Sequence, residues 1–194
     1  RQIWVGAGIG IFVEKSGLGP FDNVKISVDV NGAVQVVTGA ASVGQGIETV
    51  VSQICAQTLG ADYDRIRVVH GQTDQIDYGL GAFASRATVM TGEATRLAAL
   101  KVRDKALGMA AELLQGTPQE LEIAGGMIRK TGQPGGPSIP IGDVARHLLP
   151  SSRTRGDREP GLTGEGWFFT DHMNYPYGVH VAQLAIDRDT GHVD

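Results

Sequence analysis

Residues 23–49, NVKISVDVNGAVQVVTGAASVGQGIET, carry strand, turn, strand, loop and helix signals in unbroken order. Val24, Ile26, Val28 and Val30 alternate with polar neighbours, the period of a strand with one buried face. Asn31-Gly32 predicts a two-residue hairpin turn, because both positions tolerate left-handed backbone. Ala33 to Thr38 returns as the partner strand, and Gly39 to Gly44 is a loop. From Ile47 the period changes. Val50, Val51, Ile54, Cys55 and Leu59 recur at helical spacing, and Gly60 supplies a C-cap.

Downstream, Ile66 to Val69 reads as a short strand and Asp74 to Gly81 as a loop. Ala87 or Met90 begins a long helix reaching about Leu114. Its face includes Leu97, Leu100, Ala106, Met109, Ala110 and Leu113. Gly92, Ala94, Ala98 and Ala99 let its first turns lie close to a neighbour. Glu120 to Ile123 and Met127 to Lys130 form a second hairpin about Gly125-Gly126, and a short helix lies within Ile139 to Leu149 before Pro150. Residues 151–166 show no periodicity and read as a polar linker. Gly178 to Ile186 is the last strand, followed by a turn at Asp187 to Gly191. Upstream, Val5 to Val13 alternates Gly6, Gly8 and Gly10 with apolar residues, a strand with one bare face. It is not a dinucleotide fingerprint, since no strand precedes it and no apolar helix follows.

The expected class is α/β (α+β), with antiparallel hairpins packed with two main helices. Residues 1–150 are expected to form one α/β region, and 151–194 a linker with the incomplete start of a second domain. Arg1 runs almost directly into an apolar segment, and His192-Val193-Asp194 stands where a return strand should begin. A piece of a longer chain is therefore expected, because a hairpin lacking its second arm is marginal.

Composition narrows the function. Lys plus Arg number 17 against 21 Asp plus Glu, with no basic stripe, so nucleic acid is not an expected partner. Cys55 is the only cysteine, which excludes an internal disulfide and a cysteine-only iron–sulfur cluster within these residues. Its place on a helical stripe makes it a core thiol. No run approaches the ~18 apolar residues of a membrane span, and a cytoplasmic location is expected.

The five histidines lack compact metal-ligand spacing, and His70, His147 and His180 read as hydrogen-bonded structural residues. Asp74, Asp77 and Tyr78 read as a solvated loop. The glycine loops carry more chemistry. Gly44 and Gly46 bare the peptide groups around Gln45, a neutral side chain that both donates and accepts. Thr49 offers a cap-forming hydroxyl, and the following helix N-terminus favours a phosphate or polyanionic cofactor. A plain helix cap is the competing reading. In Gly81-Ala82-Phe83-Ala84-Ser85-Arg86 the small side chains admit a bulky ligand, Ser85 can donate, and Arg86 can neutralise a phosphate or pair with a surface carboxylate. Together the loops read as a cofactor-binding module.

Several ordered segments carry a resemblance: Gly8 to Glu14, Gly44 to Thr49, Ile66-Arg67-Val68 with Asp74, Gly81 to Thr88 with Gly92, Tyr177-Gly178-Val179-His180, and Ile186-Asp187 to Thr190-Gly191. This set resembles the middle of the molybdenum-binding large subunit of the xanthine oxidase, aldehyde oxidase and carbon monoxide dehydrogenase family. The resemblance implies a molybdopterin cofactor, expected in the cytosine dinucleotide form. Gly44, Gln45, Gly46, Phe83, Ala84, Ser85 and Arg86 would contact it, with Gln45 near the molybdenum. Relatives often have a small residue at the position of Phe83, so its ring bears on substrate size.

The implied reaction hydroxylates an aldehyde, purine or N-heterocycle with water as oxygen source. Electrons would leave through iron–sulfur and FAD centres on partner domains or subunits. The family's base glutamate falls after the Tyr-x-x-His strand, so Glu165 reads as linker and no catalytic residue or metal ligand is assigned. The expected partners are the remainder of the molybdenum subunit, an iron–sulfur subunit, an FAD subunit and a small-molecule substrate. An isolated fragment would be inactive. The alternative is a non-catalytic structural or assembly module of the same fold.

Overall fold

Alternation in the quoted segment places Val24, Ile26 and Val28 on one face of β2 (Phe21–Val28) and Val34 and Val36 on the same face of β3 (Val34–Thr38); all five are buried. Burying one such side chain contributes ~1.5–3 kcal/mol. The computed structural model in which they sit describes residues 2–194; Arg1 lies outside the described residues. The hairpin loop is longer than expected. Asp29 N–H donates to the Ala33 carbonyl, and Asp29 Oδ1 accepts from the Asn31 and Ala33 amides at 2.8 and 2.9 Å. Val30, Asn31 and Gly32 thus form a three-residue loop in which only Gly32 is left-handed, at φ 79°. The Asp29 carboxylate favours this wider loop over a two-residue turn.

Helix α1 (Ile47–Leu59) reverses the chain, so that β4 (Ile66–His70) lies parallel to β3. Ile47, Val51, Cys55 and Leu59 are its buried stripe, and Gly60 ends it in left-handed conformation. After a wide π turn over Ala87–Thr91 comes α2 (Gly92–Leu113). A three-stranded sheet of β5 (Leu121–Ala124), β6 (Met127–Lys130) and β7 (Ser138–Pro140) follows, with α3 (Ile141–His147). The three-residue β7 is too short for a periodic signal, and Gly and Pro surround it.

The expected linker is the main correction. From Leu162 it is strand: β8 (Leu162–Phe169) pairs antiparallel with β2, giving the order β4-β3-β2-β8. Glu165 is therefore a strand residue, and its carboxylate accepts from Asn23 Nδ2 at 2.5 Å. Gly164 and Gly166 face α2: a Cβ on Gly164 would lie 2.8 Å from the Ala98 carbonyl oxygen, and one on Gly166 2.5 Å from the Ala98 nitrogen. The small residues of α2 are thus explained by helix–sheet contact. The glycines that disguised β8 as a loop let the helix lie on it.

β1 (Ile3–Val13) and β9 (Tyr177–Asp187) form a separate antiparallel ribbon, in register from Ile3↔Asp187 to Val13↔Tyr177. Opposite residues share a face. One face carries Val5, Ile9, Ile11, Val179 and Val181, all largely exposed; the other is bare at Gly6, Gly8 and Gly10. Beyond β9, Asp187 Oδ1 accepts from the Asp189 and Thr190 amides to close the expected turn, and Ile186 bridges to Val193. Among the described residues no helix is long and apolar enough to cross a membrane.

Candidate functional site

The loop from β3 to α1 takes its shape from two left-handed glycines, Gly44 at φ 91° and Gly46 at φ 75°. A Cβ on either would meet nothing within 4 Å, so backbone conformation, rather than packing, calls for glycine. Between them Gln45 is exposed and folds onto its own loop. Its Oε1 accepts from Val43 N at 2.7 Å, and its Nε2 donates to the Ala41 carbonyl at 2.8 Å. An amide can make four hydrogen bonds, so one N–H and one acceptor lone pair remain.

The first turn of α1 departs from expectation. Its N-cap, Gly46, has no side-chain cap, so Thr49 does not play that part. Instead Glu48 leans back over the turn. Its own backbone N–H, then Ser42 Oγ at 3.1 Å and His70 Nε2 at 2.9 Å, hold its carboxyl below the usual carboxylate range. A carboxylate already complements the helix dipole here, so a phosphate at this turn would meet like charge. The loop offers a neutral amide and bare peptide groups rather than an anion hole.

The second loop is held differently. Gly81, Ala84 and Ser85 are left-handed, at φ 72°, 46° and 51°. For a residue with a Cβ this conformation costs ~1–2 kcal/mol, so the surroundings must impose it. Arg86, fully buried, supplies the anchor. Nε donates to the Leu18 carbonyl at 3.0 Å, Nη2 to that of Phe21 at 2.5 Å, and Nη1 to both the Gly81 carbonyl at 3.2 Å and Asp22 Oδ2 at 3.3 Å. Four of its five N–H groups are spent on its own chain. Arg86 therefore neither faces solvent nor neutralises a phosphate; its carboxylate partner is the buried Asp22, not a surface acid.

Asp22 also accepts from Thr91 Oγ1 at 2.5 Å and from Asn23 N at 2.9 Å. Sequence reasoning passed over Asp22 and Thr91. A signal was present, because Asp22 shares the inward parity of Val24, Ile26 and Val28.

The two loops meet. Gly81 N donates to the Gly39 carbonyl at 3.0 Å, and a cleft of about 220 Å³ is lined by Val43, Gln45 and residues 82–87. Phe83 lies half-exposed at its side, with the Arg86 guanidinium 5.5 Å from the ring centroid. Ser85 is exposed. A larger groove of about 820 Å³ runs past β8 by Lys25, Lys101 and Arg158, and shares no residue with either loop. The smaller cleft is the candidate because it unites the chemistry of both loops.

The other singled-out residues are accounted for locally. Asp77 pairs with Lys25 at 3.3 Å on the surface. His147 Nδ1 lies 2.7 Å from Thr154 Oγ1, and His180 stacks on Phe12 at 5.7 Å. Cys55 is fully buried, and burial pushes its thiol up to about 12.

A family model described as "Molybdopterin cofactor-binding domain" matches residues 1–194. The gamma subunit of the 6-hydroxypseudooxynicotine dehydrogenase complex from Paenarthrobacter nicotinovorans is 40% identical over 187 residues, 96% of this chain and 23% of that protein. The carbon monoxide dehydrogenase large chain from Afipia carboxidovorans is 34% identical, covering 98% and 24%. Among solved structures, Cu,Mo-CO dehydrogenase superposes with a TM-score of 0.83 at 34% identity. Quinoline 2-oxidoreductase from Pseudomonas putida 86 does so with 0.83 at 27%; each covers 98% of this chain and about a quarter of its own. The chain thus spans about a quarter of the length of the relatives it matches. It belongs to the molybdopterin cofactor-binding domain family of the molybdenum hydroxylase large subunits.

Proposed function

We propose that these residues form one wall of the cofactor pocket in a molybdenum hydroxylase. Such an enzyme oxidises a small molecule with water as oxygen source and passes the electrons to iron–sulfur and flavin centres on other domains or subunits. The observation that carries this reading is the cleft, where Gln45 from one glycine loop faces Phe83 to Arg86 from the other. Its residues fit a flat, polar group. Open space surrounds Gly44 and Gly46, half the hydrogen-bonding capacity of Gln45 is unused, and Ser85 Oγ has no hydrogen bond among the described residues.

In this reading Gly44, Gln45, Gly46, Phe83, Ala84 and Ser85 hold molybdopterin in its cytosine dinucleotide form, and Arg86 acts from beneath the loop. The bound group supplies two-electron redox chemistry at molybdenum. Gln45 donates and accepts without titrating, so it orients its ligand equally across the working pH range. The small Ala84 side chain allows close approach, Ser85 donates a hydrogen bond, and Phe83 keeps water from one side. The base is a glutamate outside these residues, and residues 1–194 alone turn over no substrate. The complex, with its iron–sulfur and FAD subunits, works in the cytoplasm.

Among aldehydes, purines and N-heterocycles we favour the last. The relative at 40% identity is named for 6-hydroxypseudooxynicotine, one solved relative for quinoline, and Phe83 presents an aromatic face to the cleft. The test is molybdenum and pterin-nucleotide analysis of the intact complex, wild type beside Gln45→Ala. The expected result is a cytosine dinucleotide in the wild type and lowered content in the variant. A well-folded complex lacking both metal and pterin overturns the reading. Metal content and turnover indifferent to Gln45→Ala would instead favour a non-catalytic module.

A further inference from the structure

We infer that Asp22 is a positioning residue for the second glycine loop: acting through Arg86, it holds Ala84 and Ser85 in the left-handed geometry that shapes the cleft. The inference rests on the reading of that cleft as a cofactor pocket, and its geometry stands apart from it. Asp22 and Arg86 are both completely buried, and a buried ion pair survives only with its hydrogen-bonding capacity met. Here it is met by the loop and its supports. Asp22 Oδ2 takes Arg86 and Thr91, and Oδ1 takes the Asn23 amide.

Arg86 in turn fastens three segments, through the carbonyls of Leu18, Phe21 and Gly81. The bond to Gly81 closes the loop on itself, because Arg86 N also donates to the Phe83 carbonyl at 3.1 Å. Left to itself, a loop with two adjacent non-glycine left-handed residues would relax to ordinary backbone. The guanidinium fork, oriented by Asp22, opposes that relaxation.

Hydrogen exchange at the amides of residues 81–87, read on the cofactor-free full-length protein, tests this independently of the cofactor assignment. Asp22→Asn keeps the shape and removes the charge; the expected result is loop exchange at least tenfold faster, with β3 and α1 unchanged. Adding Ala84→Gly, which relieves the left-handed strain, should slow it again at least threefold. Unchanged loop exchange, a rise shared equally by β3 and α1, or no recovery with Ala84→Gly overturns the inference.

If Asp22→Asn yields no folded protein, Thr91→Val, which removes only the hydroxyl bond to Asp22, takes its place; wild-type loop exchange there overturns the inference. In the loaded complex the molybdenum content of Asp22→Asn should fall at least threefold and recover with Ala84→Gly. Content unchanged while the loop loosens overturns the role of Asp22 toward the cofactor.

Discussion

Gly39 and Gly79 cross with no room for a side chain on either: a Cβ on Gly39 would lie 2.6 Å from the Tyr78 carbonyl oxygen, and one on Gly79 2.7 Å from that of Gly39. Neither glycine is left-handed, so the requirement is steric. The crossing lets Gly81 N reach the Gly39 carbonyl, and so joins the two loops that line the cleft. Gly79→Ala should therefore destabilise by about 1–3 kcal/mol, the usual range for overpacking. Chemical denaturation checks this; a variant as stable as wild type would show that the loops part without cost.

Gly166→Ala tests the packing of α2 on β8. The added methyl would sit 2.5 Å from the Ala98 nitrogen, against helix backbone that has nowhere to move. The expected loss is again about 1–3 kcal/mol or more. Gly135→Ala, where a Cβ would meet nothing within 4 Å, should leave the unfolding free energy within about 0.5 kcal/mol of wild type.

Glu48 sets a pH dependence whose sign can be worked out. Its folded pKa lies below the ordinary 4.5, mainly through its own backbone N–H, then Ser42 and His70. It therefore adds stability above the ordinary value, and that contribution is lost as pH falls through the lowered folded value. The difference in stability between wild type and Glu48→Gln should be constant above about pH 5.5 and shrink toward zero in more acid solution. Urea midpoints measured down to pH 3 decide it; a difference that grows on acidification contradicts the assignment.

Cys55 sets one at the alkaline end. Burial raises the thiol from 9.0 to about 12, so the native state keeps a proton that the unfolded chain gives up sooner. Stability is fully present below about pH 9 and declines between about 9 and 12. At pH 8 the native protein should not react with a thiol reagent, and one thiol should appear on unfolding. Rapid labelling of folded protein would mean that α1 opens.

Phe83→Leu removes an aromatic face from the cleft. Aromatic pairing is worth ~0.5–1.5 kcal/mol beyond burial, so KM for a planar N-heterocycle should rise roughly 2- to 13-fold in the intact complex. KM for a small aliphatic aldehyde should stay as in wild type. Equal effects on both substrates would remove Phe83 from substrate selection.

Local periodicity made much of the fold legible. Alternation gave β2 and β3, helical spacing gave α1 to the residue, and the Gly125-Gly126 pair gave the β5–β6 hairpin. The failures have tertiary causes. β8 looked like a linker because Gly164 and Gly166 answer to a helix some 60 residues earlier in the chain. The pairing of β1 with β9 joins opposite ends of the sequence, which no local pattern records. At the cleft, glycine content marked both loops, but whether Arg86 faced outward or inward depended on Asp22, a distant strand residue. Its charge stood out only against the parity of β2.

The β1–β9 ribbon has a practical bearing on how these residues behave when produced by themselves. Eleven paired positions present Ile9, Ile11, Val179 and Val181 to water at 61–76% exposure, beside a glycine-lined reverse face. Two strands without a third or a covering helix are marginal in water, and unpaired apolar edges recruit other chains. Preparations of residues 1–194 should accordingly precipitate in a concentration-dependent way. Charged substitutions at Ile9 and Val181, rather than in the cleft, are the ones that should keep the polypeptide in solution.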